Sequence, residues 1–137
     1  MNRAGVLLDT GPLVALLSRT DVNHSRARKT FAECAPPFRS CESVVAEACH
    51  LLRKVHRAAP AEVLALGRKG VFEIAMSLDR EWTGVEALLR RYRDRPMSLA
   101  DACLVRLAEI TGDSRILTFD DDFRVYRWNR NRKFELL

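Results

Sequence analysis

The chain has 137 residues and a mass of 15.6 kDa, and its 23 Lys and Arg against 18 Asp and Glu leave a formal charge of +5. That is one domain's worth of protein, residues 1–137, and a chain of this size buries roughly two thirds of the surface it exposes when unfolded, which argues against disorder. No apolar run approaches the ~20 residues a membrane-spanning helix needs, so a helical membrane protein is excluded, while the pI of about 9.4 favours a polyanionic partner without demanding one.

Gly5-Val-Leu-Leu-Asp9 is a short apolar run ending in an acid, as expected of a buried parallel strand with its carboxyl end at Asp9. Thr10-Gly11-Pro12 breaks it, and Leu13, Val14, Leu16 and Leu17 supply the apolar face of a helix whose first turn suits Pro12. Because Asp9 and Gly11-Pro12 interrupt this apolar start and no small-residue cleavage site follows Leu17, the expectation is a mature cytoplasmic protein. Asp21 is placed to cap a second helix running to the Pro36-Pro37 stop, and Phe38-Arg39-Ser40 reads as a second strand.

From Glu42 to Arg57 the apolar positions recur at helical spacing, stopped before Pro60, and a shorter helix follows over Ala61–Lys69. Val71–Ala75 alternates as a half-exposed strand. Trp82–Tyr92 and Ser98–Ile110 read as helices, the latter ending at Gly112, and Arg115–Phe119 and Phe134–Leu137 as the last two strands. Helices alternating with short apolar strands predict an open α/β sheet, mostly parallel. The four cysteines, Cys34, Cys41, Cys49 and Cys103, have no CxxC spacing and read as reduced, buried thiols.

Ligands in such sheets gather at the carboxyl ends of the strands. Asp9 lies at one such end and Asp120 follows another, while Glu47 (amid Val44, Val45, Ala46 and Ala48) and Asp101 occupy helical positions that can face the same crevice. Four converging carboxylates repel one another and call for a cation, and oxygen-only ligands select a hard one, Mg²⁺ or Mn²⁺. Each acid also has a structural alternative: Asp9 as a helix cap, Glu47 as a solvent-facing residue between apolar stripes, Asp101 as half of a capping box with Ser98. Spacing alone leaves open which of Asp120, Asp121 and Asp122 points inward.

In this order the residues resemble the PIN-domain family, especially VapC-type toxin ribonucleases and their short single-domain relatives. The likeness runs through Val6-Leu-Leu-Asp9-Thr-Gly-Pro-Leu-Val-Ala-Leu-Leu17, Asp21-Val-Asn-His24, Ser43-Val-Val-Ala-Glu47, Met97-Ser-Leu-Ala-Asp-Ala102 and Ile116-Leu-Thr-Phe-Asp-Asp-Asp-Phe123. Its register favours Asp120 over its neighbours. The resemblance implies a three-layer sandwich with about five strands, in which Asp9, Glu47, Asp101 and Asp120 surround one or two Mg²⁺ or Mn²⁺ ions and hydrolyse RNA phosphodiesters. Under it Thr10, Ser43, Ser98 and Thr118 orient those carboxylates, and Arg124 and Arg127 hold phosphates. It also implies a cognate antitoxin and a homodimer. His24 is expected to make a structural hydrogen bond, Phe123 to anchor the Asp120 loop, and Trp82, Tyr126 and Trp128 to be core residues or base-stacking surfaces. A haloacid-dehalogenase-type phosphatase is discounted because Gly11 stands where its second Asp belongs, and a receiver domain because Val71–Ala75 is followed by Met76-Ser77-Leu78. The competing class is a PIN-like module that binds RNA or protein without cutting.

Overall fold

Three consecutive buried apolar residues form the central strand β1 (Val6–Leu8) of the computed structural model, which describes residues 5–137. A parallel neighbour requires a crossover, and pairs of helices supply those that lead to β2, β3 and β4. Helices α1 (Thr10–Leu17) and α2 (His24–Glu33) lead to β2 (Phe38–Ser40), and α3 (Glu42–Leu52) and α4 (Ala59–Arg68) lead to β3 (Phe72–Ile74). Then α5 (Trp82–Arg91) and α6 (Leu99–Thr111) return the chain to β4 (Arg115–Leu117), and β5 (Glu135–Leu136) closes the other edge. The sheet order is β3-β2-β1-β4-β5 with every pairing parallel.

The direction of winding reverses between β1 and β4, so the crevice beyond their carboxyl ends is the topological switch point where such sheets bind ligands. The Asp9 amide donates to the Leu117 carbonyl at 3.0 Å, which holds those two strand ends together. Helix α6 is the most deeply buried helix, with Ala102, Leu104, Val105, Leu107 and Ala108 fully inside. Its start is pinned by a complete capping box between Ser98 and Asp101, and its end by Gly112 in the left-handed region at φ 77°. The rise of the helix behind Asp101 is thus set at both ends by residues whose backbone chemistry admits few substitutes.

Several expected boundaries move. Asp21 does not cap α2: its Oδ1 accepts from the Asn23 amide at 2.8 Å in a local turn, and the helix begins at His24. Helix α3 stops at Leu52, because Val55 is 45% exposed and has no core to pack against. Pro60 lies inside the first turn of α4 rather than ahead of it, where its missing N–H has no partner to lose. β4 stops at Leu117, leaving Thr118 and Phe119 free to turn toward the crevice. The cysteines are free thiols, but only Cys41 and Cys103 are buried; Cys34 and Cys49 are partly exposed.

Candidate functional site

Asp9 leaves β1 with an extended backbone and is the N-cap of α1. Its Oδ1 accepts from the Thr10 amide at 2.8 Å and its Oδ2 from the Thr118 hydroxyl at 2.6 Å. The cap reading of this residue therefore holds, and its second oxygen is turned to Thr118. Burial pushes its pKa up to about 6; the two hydrogen bonds pull the other way, and the charges of Asp101 and Asp120 add to the rise.

Asp101 sits in the first turn of α6, where its amide donates to Ser98 Oγ at 3.0 Å and its Oδ2 accepts from the Ser98 amide at 3.3 Å. The same Oδ2 accepts from the Tyr126 hydroxyl at 3.2 Å. Burial and then the charge of Asp120 raise its pKa, against the hydrogen bonds from Ser98 and Tyr126. Asp120 lies three residues beyond β4, and its amide donates to Thr118 Oγ1 at 3.0 Å. The Thr118 hydroxyl consequently ties the two strand ends together, accepting from Asp120 and donating to Asp9.

Glu47 reaches the group from α3, accepting from the Thr10 hydroxyl at 3.3 Å. It is exposed, as is Ala46; the apolar setting expected from its neighbours is a property of the opposite face of α3, where Val44 and Ala48 are buried. Asp9, Thr10, Gly11, Glu47, Leu51, Asp101, Phe119 and Asp120 line one crevice of about 280 Å³. A larger cavity, about 570 Å³, lies at the amino ends of the strands beside Arg39 and Arg115, away from all four acids. Its best-held contact is structural: Arg39 Nη1 meets the buried Asp113 at 2.8 Å.

A scan of protein families matches the PIN domain over residues 6–129. The chain belongs to the PIN domain family. No curated protein matches its sequence. Among solved structures, the PIN domain here is similar to the crystal structure of Mycobacterium tuberculosis VapC20, described as a sarcin-ricin loop cleaving toxin. The TM-score is 0.79 at 24% identity, over 88% of this chain and 94% of that one, a likeness of fold.

All four acids fall inside the matched PIN domain, and the structure separates Asp120 from its neighbours. Asp121 faces solvent and pairs with Arg124 at 3.2 Å, and Asp122 pairs with Arg95 at 3.4 Å, so only Asp120 lines the crevice. Of the expected orienting hydroxyls, Thr10, Ser98 and Thr118 contact carboxylates or their amides, whereas Ser43 Oγ lies 3.8 Å from Cys103 Sγ and touches none of the acids. Arg127 Nη1 is engaged by the carbonyls of Arg124, Val125 and Tyr126 at 2.8 to 3.0 Å. With Arg124 paired to Asp121, both expected phosphate ligands already have partners within their own turn.

Tyr126 and Trp128 are buried, so of the three large aromatics considered for stacking only Trp82 is exposed, at 61%. Phe123 is buried beneath the Asp120 loop, edge-on to Tyr126 and Phe134, as an anchor requires. His24 Nδ1 lies 2.7 Å from the Ala15 carbonyl, the structural bond expected of it. The functional contact that sequence reasoning missed is Tyr126 to Asp101: the two are 25 residues apart, and no spacing rule links them.

Among the described residues no three His, Cys, Asp or Glu side chains are gathered into a ready-made metal cluster. The donor set nevertheless fits a hard cation. It is oxygen-only, two of its acids are buried, and the pKa values of Asp9 and Asp101 are raised chiefly by that burial, with a smaller push from neighbouring carboxylates.

Proposed function

We propose that this PIN domain is an endoribonuclease dependent on Mg²⁺ or Mn²⁺, and the toxin of a toxin–antitoxin pair. The observation that carries the nuclease reading is the convergence of Asp9, Glu47, Asp101 and Asp120 on one crevice at the switch point of a parallel sheet. Asp9, Asp101 and Asp120 would hold the ion, with Glu47 at the mouth. The chemistry such an ion supplies is a water of lowered pKa and stabilisation of the charge that develops on the leaving oxygen.

The chain's own residues do the rest. Thr118 and the Thr10 amide fix both oxygens of Asp9; Ser98 and Tyr126 fix Asp101; Thr10 restrains Glu47. Carboxylates held this way cannot easily move apart, so their oxygens remain crowded at the crevice. Cation binding then removes a strain already present. The toxin reading is supported by the likeness in fold to VapC20, and an antitoxin that silences this crevice would place Arg or Lys against the four acids.

The test is cleavage of two RNAs, one containing the sarcin-ricin loop and one unstructured, with Mg²⁺, with Mn²⁺ and with chelator. Cutting that needs metal is the expected result. RNA binding without cutting in every condition would replace the nuclease with a silent module. A narrower expectation concerns Tyr126→Phe. Removing the hydroxyl deletes one donor to Asp101 while keeping the ring packed against Phe123, and support of this kind is worth roughly 10- to 100-fold in activity or metal affinity. The loss should appear as weaker Mg²⁺ activation and be partly restored by excess metal; unchanged metal dependence would confine Tyr126 to a packing role.

A further inference from the structure

We infer that the RNA leaves the carboxylate crevice across Phe119 and runs onto the α1–α2 face, where Arg19, Arg26 and Arg28 take its phosphates; this rests on the nuclease reading above. Phe119 joins the two surfaces. It is half-buried, it lines the crevice, and the residue after it is Asp120. The Arg26 guanidinium stacks over its ring, 4.6 Å from the centroid. A cation is thus fixed in place at the lip of an anionic crevice, where a phosphate entering the site needs a counter-charge that does not fall into the acids and neutralise them. The stacking gives Arg26 a fixed seat, and among the described residues its guanidinium has no hydrogen-bond or ion-pair partner, which leaves its N–H groups free.

The surface continues the same way. Arg19, His24 and Arg28, with Leu16, line a neighbouring cavity of about 560 Å³. His24 spends Nδ1 on the Ala15 carbonyl, which leaves Nε2 unused in that bond. Arg19, Arg26 and Arg28 are exposed, and among the described residues none pairs with a carboxylate. The contrast with the other arginine-rich segments is chemical. Arg124 is paired with Asp121, Arg95 with Asp122 and Arg90 with Glu86, while Arg91 and Arg127 donate to backbone carbonyls. Arg19, Arg26 and Arg28 are thus free to bind, whereas these other arginines are already engaged. Guanidinium groups in the turn after α1 and on α2 suit a phosphate backbone, which carries a regular charge and can be held without reading bases.

The test is binding of a short fluorescein-labelled single-stranded RNA of mixed sequence, followed by anisotropy across a salt series in chelator. Three proteins are compared: wild type, Arg19→Gln/Arg26→Gln/Arg28→Gln, and a charge-matched control, Arg57→Gln/Arg68→Gln/Arg80→Gln, whose residues line neither the crevice nor the cavity. Three lost phosphate contacts at about 0.7 each should lower the slope of log K against log salt by about 2, and weaken binding more than tenfold near 0.1 M salt. The control should change the slope far less. Substituting the same three positions with Lys should restore most of the slope, which a merely structural role would not allow. In a Phe119→Leu background, Arg26→Gln should cost less than it does in wild type, because the guanidinium has already lost its seat.

An unchanged slope in the α1–α2 variant, or an equal change in the control, overturns the inference while leaving the nuclease standing if wild type still cuts; an acidic protein segment would then be the partner that fits this face. Failure of wild type both to bind and to cut RNA overturns the two together.

Discussion

Asp101→Asn is expected to yield a folded protein that no longer cuts RNA. The local structure survives the change, since the carbonyl oxygen of the substituted side chain can still accept from the Ser98 amide and the backbone amide at that position can still donate to Ser98 Oγ, so the start of α6 stays capped. The Tyr126 hydroxyl, which meets the same oxygen as the Ser98 amide, can go on donating to that carbonyl oxygen. What is lost is a charge and an anionic oxygen at the centre of the crevice. If that charge positions an ion worth several kcal/mol to the transition state, losing about 4 kcal/mol of it lowers the rate on the order of 10³-fold. The matching control is Asp121→Asn. That residue is exposed and pairs only with Arg124, and a surface change of this kind is worth about 0.5 kcal/mol or less, so cleavage should stay within about twofold of wild type. Initial rates, taken beside far-UV circular dichroism and thermal melts of each protein, separate chemistry from folding. A folded Asp101→Asn protein that cuts as wild type does would remove Asp101 from the mechanism.

The contrast between these two aspartates shows what can be read from a linear sequence. The first acid, the capping box at Ser98 and Asp101, the Gly112 stop and the five short strands follow from local rules of backbone and hydrophobic pattern, and all are found. Motif register picks Asp120 out of three consecutive acids, and the ion pairs of Asp121 and Asp122 supply the physical reason. Where side chains meet partners other than those the resemblance implies, the cause is shared. Ser43 is one turn from Glu47, so helical spacing places it near the acids, yet its hydroxyl turns to Cys103 because α3 packs on α6 along that side. Arg124 and Arg127 are close to Asp120 in sequence, but their guanidinium groups fold back on their own turn. Tyr126 could not be found at all by these means. Local periodicity assigns residues to elements; which polar atoms meet depends on how those elements pack, and that information is spread over the whole chain.

The metal-free protein should lose stability as pH rises through 6, and Asp9 should be the main reason. Its pKa is raised from 3.8 to about 6, chiefly by burial, so between those values the folded state holds a proton that the unfolded state has released. Folding therefore takes up a proton in this window, and stability falls as pH increases across it. Above about pH 6 the full cost of keeping a buried carboxylate ionised is present; below about 4 it vanishes. About two pKa units correspond to roughly 3 kcal/mol, or a drop on the order of 10 °C in melting temperature for a chain of this size. Asp101, also raised by burial, adds a slope of the same sign. Asp9→Asn removes the larger share: the variant should melt higher than wild type at neutral pH in chelator, the two should converge near pH 4, and a residual slope from Asp101 should remain. Mg²⁺ should act oppositely on the two proteins. A cation that binds only the folded state stabilises wild type in proportion to its occupancy, while the variant, with one anionic ligand gone, gains little. Melts across pH, with chelator and with Mg²⁺, read all of this from one instrument. Parallel curves for the two metal-free proteins would mean that Asp9 is not the source of the slope, and an equal Mg²⁺ shift in both would mean that the ion does not bind there.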